Sequence, residues 1–113
     1  MKLITAYLQP EVLPIVQQEL FAAQINKYSI VAGVGQGAQK GYEATFRGLL
    51  TQVRVLKRVR LEVAVNDDFA ERAIGAIMRG AQTGEAGDGK VFVTELLDCV
   101  RIRTGERGSQ AIG

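Results

Sequence analysis

An α+β sandwich with the element order βαββαβ is what this sequence predicts, and three observations predict it. Residues 59–65, Val-Arg-Leu-Glu-Val-Ala-Val, alternate strictly, so Val59, Leu61, Val63 and Val65 share one face of a strand. Ala70, Ala73, Ile74, Ile77 and Met78 then recur at helical spacing and form an apolar stripe. Short β-compatible runs at 2–8, 28–34 and 91–93 supply the remaining strands.

The elements follow in order. Residues 2–8 read Lys-Leu-Ile-Thr-Ala-Tyr-Leu, a first strand that Pro10 ends. Pro14 suits the first turn of a helix, where its missing N–H costs nothing. Val16, Leu20 and Ala23 follow on one helical face, leaving Gln17, Gln18 and Glu19 for water. Tyr28 to Val34 is apolar almost throughout and reads as a buried second strand. Gly33, Gly35, Gly37 and Gly41 then crowd together, and Gly48 follows, so residues 36–55 read as one long mobile loop. After the alternating third strand, Asn66 or Asp67 can cap the second helix. A Gly-rich segment, 83–90, breaks that helix, and Val91–Val93 make the fourth strand. Val100–Arg103 reads as extended, and 101–113 as a C-terminal loop and polar tail. The order is the split βαβ, ferredoxin-like arrangement, in one domain spanning 1–113.

Composition narrows the function. Of 113 residues, 47% are apolar and 23% charged, which is globular rather than disordered. The net charge of +2 supplies no strong field toward nucleic acid or anionic membrane, although Arg54, Lys57, Arg58 and Arg60 form one denser patch. An RNA-binding sheet would need more aromatics than Tyr7 and Phe92 on its strands. No apolar run reaches the ~20 residues of a membrane span. Met1–Gln9 is too short and alternating for a signal peptide, and the expected location is the cytoplasm. The one cysteine, Cys99, fits a reducing compartment and reads as a small buried residue. With no histidine, His-based base chemistry and His-rich metal sites are excluded, and no metal site is expected from side chains alone.

Two segments carry chemistry. Thr83-Gly84-Glu85-Ala86-Gly87-Asp88-Gly89-Lys90 can bring backbone N–H groups close to an anion, with Lys90 adding a cation. Gly84–Lys90 has the spacing of a P-loop, but Val91 stands where a magnesium-binding hydroxyl belongs. The polarity is also reversed, since a helix precedes the segment and a strand follows. In Arg101-Ile102-Arg103, an extended backbone would turn both guanidiniums to one side, an arrangement suited to polyphosphate.

These segments resemble the C-terminal signature of the PII signal-transduction proteins. Thr83-Gly84, Gly87-Asp88-Gly89-Lys90-Val91-Phe92-Val93 and Val100-Arg101-Ile102-Arg103-Thr104-Gly105-Glu106-Arg107-Gly108 carry the likeness. Gln39-Lys40-Gly41 and Phe46-Arg47-Gly48 extend it. The resemblance implies a homotrimer with ATP or ADP in clefts between subunits. It implies that Gly87, Asp88, Gly89 and Lys90 wrap the phosphates and that Arg101 and Arg103 neutralise them. Gly35, Gly37, Ala38 and Gln39 would line the base of the long loop. Ser29 and Ala64, with Thr83, would lie near the adenine or ribose. Gln39 and Arg58 are the candidates for magnesium and 2-oxoglutarate contact. A regulated enzyme or membrane transporter would bind through residues 36–55, with no direct insertion into membrane and no nucleic acid partner.

The sequence departs from the family pattern in places. Ala38 stands where an arginine is common, Arg58 where a lysine meets 2-oxoglutarate, and Lys57 where a proline precedes that lysine. Thr51 stands where many relatives carry a modified tyrosine, and Leu49 where others carry a phosphorylated serine. Tyr42 is a loop tyrosine at a different place. The expectation is a nucleotide sensor that is not an enzyme. Its rivals are a slow ATP hydrolase, with Glu62, Glu85 or Asp88 as base, and a trimeric adaptor for metal or bicarbonate transport without nitrogen sensing.

Overall fold

A computed structural model describes residues 1–36, 42–46, 49–53 and 55–113, and for 35–36, 42–46, 49–53 and 55–56 it describes the backbone alone. The elements are β1 (Lys2–Leu8), a 3-10 turn (Pro10–Val12), α1 (Leu13–Ala22), β2 (Ser29–Gln36), β3 (Tyr42–Phe46), β4 (Leu49–Val53), β5 (Val55–Val65), α2 (Asp67–Ala81), β6 (Lys90–Glu95) and α3 (Ser109–Ile112). The main sheet has the order β2-β5-β1-β6 and is antiparallel throughout, as a ferredoxin-like sandwich requires.

Alternation in the strands decides which face is covered. Register puts Ile4 opposite Val63, Ala6 opposite Leu61 and Leu8 opposite Val59, and all of these are buried. Val16 and Leu20 of α1 and Ala73, Ala76 and Ile77 of α2 close over that face. The helices meet most closely at Gly80, where a Cβ would lie 2.6 Å from Val16 Cα. α1 and α2 leave the other face uncovered. It presents Tyr7 (40% exposed), Val31 (47%) and Phe92 (51%), and the Tyr7 and Phe92 rings meet edge to face at 6.0 Å.

Several sequence expectations change. β2 is not buried: it is an edge strand whose Ile30, Val31 and Val34 remain exposed. A run apolar on both faces signals cover on both faces, and one chain does not supply it here. Residues 36–55 are not one long loop. β2 runs on to Gln36 and pairs it with Val55, and β3 and β4 form a separate two-stranded antiparallel sheet. Their sequence signal is the alternation of Tyr42, Ala44 and Phe46 with Glu43 and Thr45, short enough to be masked by the flanking glycines. Asn66 occupies the N-cap of α2, but its side chain makes no cap bond; it donates to the Ser109 carbonyl at 3.2 Å. Residues 102–104 form a turn instead of continuing an extended strand, and the tail closes with α3, whose Ala111 is buried.

Gly80→Ala should destabilise the protein by about 1–3 kcal/mol, because the new methyl meets backbone that cannot rotate away. A urea unfolding curve measures this, with the midpoint expected to fall at unchanged slope.

Candidate functional site

The Gly-rich loop is built around a carboxylate. Asp88 Oδ2 accepts the backbone N–H groups of Thr83 (2.8 Å) and Gly84 (3.0 Å), and its Oδ1 accepts the Thr83 hydroxyl in a short bond. The Thr83 hydroxyl in turn accepts the Glu85 N–H at 3.3 Å. Gly84, Gly87 and Gly89 all have positive φ, at 88°, 98° and 103°. Gly89 has a second reason to be glycine, because a Cβ would fall 1.8 Å from the Tyr7 carbonyl oxygen. Gln9 Nε2 donates to the Gly87 carbonyl at 2.9 Å and ties the loop to the end of β1. Nothing in the sequence pattern singled out Gln9. Among the described residues, the N–H groups of Gly87 and Gly89 have no hydrogen-bond partner, Ala86 and Gly87 form a turn that directs the Asp88 N–H toward the Glu85 carbonyl, and the Lys90 ammonium has no ion-pair partner. Below the loop lies a hollow of about 330 Å³, lined by Leu8, Ile77, Met78, Ala81 and Val91 under Asp88, Gly89 and Lys90.

A second cluster lies at the opposite end of the sheet. Ser29 and Ala64 line an open hollow of about 560 Å³ with Lys27, Glu62, Cys99 and Ile112. Cys99 is half-buried on this wall rather than enclosed in the core. Glu62 is ion-paired with Arg60 at 3.0 Å. The C-terminal residues bring Arg101 to this end. Its guanidinium meets Glu106 at 3.0 Å and the carbonyls of Gln110 and Ala111 at 3.2 and 3.4 Å. Arg107 Nη2 pairs with Asp98 at 2.7 Å and, with the Val100–Arg107 bridge, closes the same turn. The shared-side placement expected for Arg101 and Arg103 does not occur as an extended pair, because the chain turns between them. Arg101 has Glu106 as its counter-ion, whereas Arg103 is exposed and has no ion-pair or hydrogen-bond partner among the described residues.

The two clusters are separate within one chain. On β1, Leu3 faces Ala64 and Tyr7 faces Lys90, a separation of about 13 Å along the strand. On β2, Ser29 and Gly35 lie about 20 Å apart. Arg58 sits at the Lys90 end, on the wall of a small hollow with Tyr7, Val31, Gly33 and Arg60. Gly37, Ala38 and Gln39 lie outside the described residues, as do Lys40, Gly41, Arg47, Gly48 and Arg54. Among the described residues, no group of three His, Cys, Asp or Glu side chains could hold a metal, and no helix is long and apolar enough to cross a membrane.

With this geometry in view, residues 1–106 match the family described as Nitrogen regulatory protein P-II. The chain belongs to the P-II family. It is 42% identical to the Nitrogen regulatory protein P-II of Bradyrhizobium diazoefficiens over 99% of this chain and 100% of the relative. Its identity to the protein of that name from Azospirillum brasilense is 43%, with the same coverage. Nitrogen regulatory protein P-II 1 of Methanothermobacter thermautotrophicus is 41% identical over 99% of this chain and 97% of the relative. The P-II resemblance read from the loop and C-terminal motifs therefore holds over the whole chain, as do the α+β fold and a regulatory role.

The Thr83 hydroxyl and amide bonds, then the Gly84 amide, hold the Asp88 carboxyl below the usual carboxylate range. A group depressed in this way stabilises the folded loop above its unfolded value, ~3.9, and loses that contribution as pH falls through its lower folded value. A carbon-detected NMR titration of Asp88 should give a midpoint below that of an unperturbed aspartate. Exchange of the Thr83 and Gly84 amide protons should rise over the same acid range.

Proposed function

We propose that this P-II protein is an adenine-nucleotide sensor whose binding sites are completed between copies of the chain. One observation carries the reading: the anion-suited loop at 83–90 and the Ser29–Ala64 hollow with its arginines lie at opposite ends of one sheet. Each end has half of what a nucleotide needs. The Lys90 end offers unpartnered amides and an ammonium for phosphates, while Gly35 precedes the 36–55 segment on the opposite edge strand. The other end offers a hollow for a nucleoside and Arg103 as a free cation among the described residues. A second copy brings these ends together. The bare sheet face with Tyr7, Val31 and Phe92, the exposed β2 edge, and Leu97 and Ile102 (97% and 99% exposed) are surfaces such an assembly would cover, and the homotrimer is its expected form.

Signal output then follows as a population shift. ATP and ADP differ by one phosphate, so only contacts to that phosphate select between conformations of residues 36–55. Those conformations bind or release an enzyme or a transporter. Magnesium and 2-oxoglutarate would enter through Gln39, which lies outside the described residues, and through Arg58. An ATP hydrolase is the weaker reading. Asp88 is committed to the loop backbone and Glu62 to Arg60, so neither is poised as a base.

Calorimetric titration with ATP and ADP tests the sensor, with micromolar binding expected for the unaltered protein and its loss in Arg103→Ala. No adenylate binding would leave a P-II-shaped adaptor. The shared site has its own test. Lys90→Ala and Arg103→Ala should each bind poorly, while trimers assembled from a mixture of the two should recover part of the binding. Mixed assemblies no better than their parents would place the site within one chain. ATP should also slow alkylation of Cys99, which lines the nucleoside hollow; an unchanged rate would remove that hollow from the site.

A further inference from the structure

Asp88 poses a problem for the nucleotide reading. A carboxylate in the middle of a phosphate-binding loop repels the ligand, since like charges disfavour one another at short range. The geometry points to a different role. Its oxygens face the start of the loop, where they take up the Thr83 and Gly84 amides and the Thr83 hydroxyl. Glu85 N–H is taken up by the same hydroxyl. The loop is thus divided. Donors at 83–85 are satisfied internally, the Asp88 N–H turns back to the Glu85 carbonyl, and the donors of Gly87 and Gly89 have no partner among the described residues.

We propose that Asp88 is a positioning residue for polyphosphate: by closing the 83–88 ring on its carboxylate, it holds the unpartnered Gly87 and Gly89 amides in place for a phosphate group. This rests on the nucleotide reading above. The ring is fixed at both ends, by Asp88 to the end of α2 and by Gln9 to the Gly87 carbonyl. Backbone amides preset in this way can form an anion-binding concavity, and presetting lowers the ordering cost of binding. Thr83 is the second member of the device. Its hydroxyl donates to Asp88 and so acts through the loop, whereas the sequence placed it beside the adenine or ribose.

Repulsion and positioning have opposite signs, and a neutral isostere separates them. Asn at 88 removes the charge but keeps only one acceptor oxygen and turns an NH2 group toward the loop amides. If repulsion dominated, Asp88→Asn would bind ATP more tightly. Positioning requires it to bind about tenfold more weakly or worse, as expected for lost hydrogen bonds to a charged group. ATP affinities of the full chain are measured by calorimetry for the unaltered protein, Asp88→Asn, Thr83→Val and Thr83→Ser, with thermal midpoints recorded alongside. Thr83→Val should weaken binding by a smaller factor, and Thr83→Ser, which keeps the hydroxyl, should restore it. Should Asp88→Asn fail to fold, the Val and Ser pair at 83 decides. Equal or tighter binding by Asp88→Asn, or equal weakness of the Val and Ser variants, overturns the positioning role and leaves the nucleotide reading standing. Failure of the unaltered protein to bind ATP overturns both, and is distinguished by appearing before any substitution.

Discussion

β1 bonds to β5 along one side and to β6 along the other, and the rest of the chain is arranged by that double pairing. Its alternation sends Ile4, Ala6 and Leu8 into the core and Thr5 and Tyr7 to the bare face. The same strand limits the loop chemistry. The Tyr7 carbonyl lies where a Cβ on residue 89 would be, so only glycine lets the chain enter β6 at that point. Core packing and loop geometry are therefore set by one backbone ladder rather than by separate devices.

One-sided cover has a further consequence. An antiparallel sheet can leave one face in water when that face is polar. Here the bare face mixes Arg58, Arg60 and Glu62 with Tyr7, Val31 and Phe92, and the edge at β2 is apolar as well.

The departures from the P-II pattern fall unevenly. The motifs that carry the resemblance lie in the loop at 83–90, with its glycines and Asp88, and in the C-terminal turn with Arg101, Arg103 and Glu106. The changed positions, Ala38, Leu49, Thr51, Lys57 and Arg58, lie in the stretch between β2 and β5 or at the start of β5. Arg58 keeps a positive charge near Gly33 and Tyr7, but a planar guanidinium is a different partner for a carboxylate than an ammonium.

Sequence alone determined the fold class, because strand and helix periodicities survive any rearrangement of the surface: Val59 to Val65 and Ala70, Ala73 and Ile77 could face only one way, although Met78, expected on the same stripe, is exposed. It also determined that residues 83–90 form a glycine-dependent turn with a cation at its end, since positive φ at Gly84, Gly87 and Gly89 is a local demand. The β3–β4 pair was legible in Tyr42, Ala44 and Phe46, but glycines on either side hid five-residue strands. Only the tertiary structure decided what Asp88, Arg101 and Gln9 do. Asp88 and Arg101 are charged residues in candidate binding motifs, and both spend their charge on the chain's own backbone and side chains. Gln9 carries no pattern at all and matters through a contact made across 78 positions. Tertiary structure also decided that β2 is an edge and that Ser29 and Lys90 lie on opposite edge strands, because strand order and register come from long-range pairing, which a residue pattern does not encode.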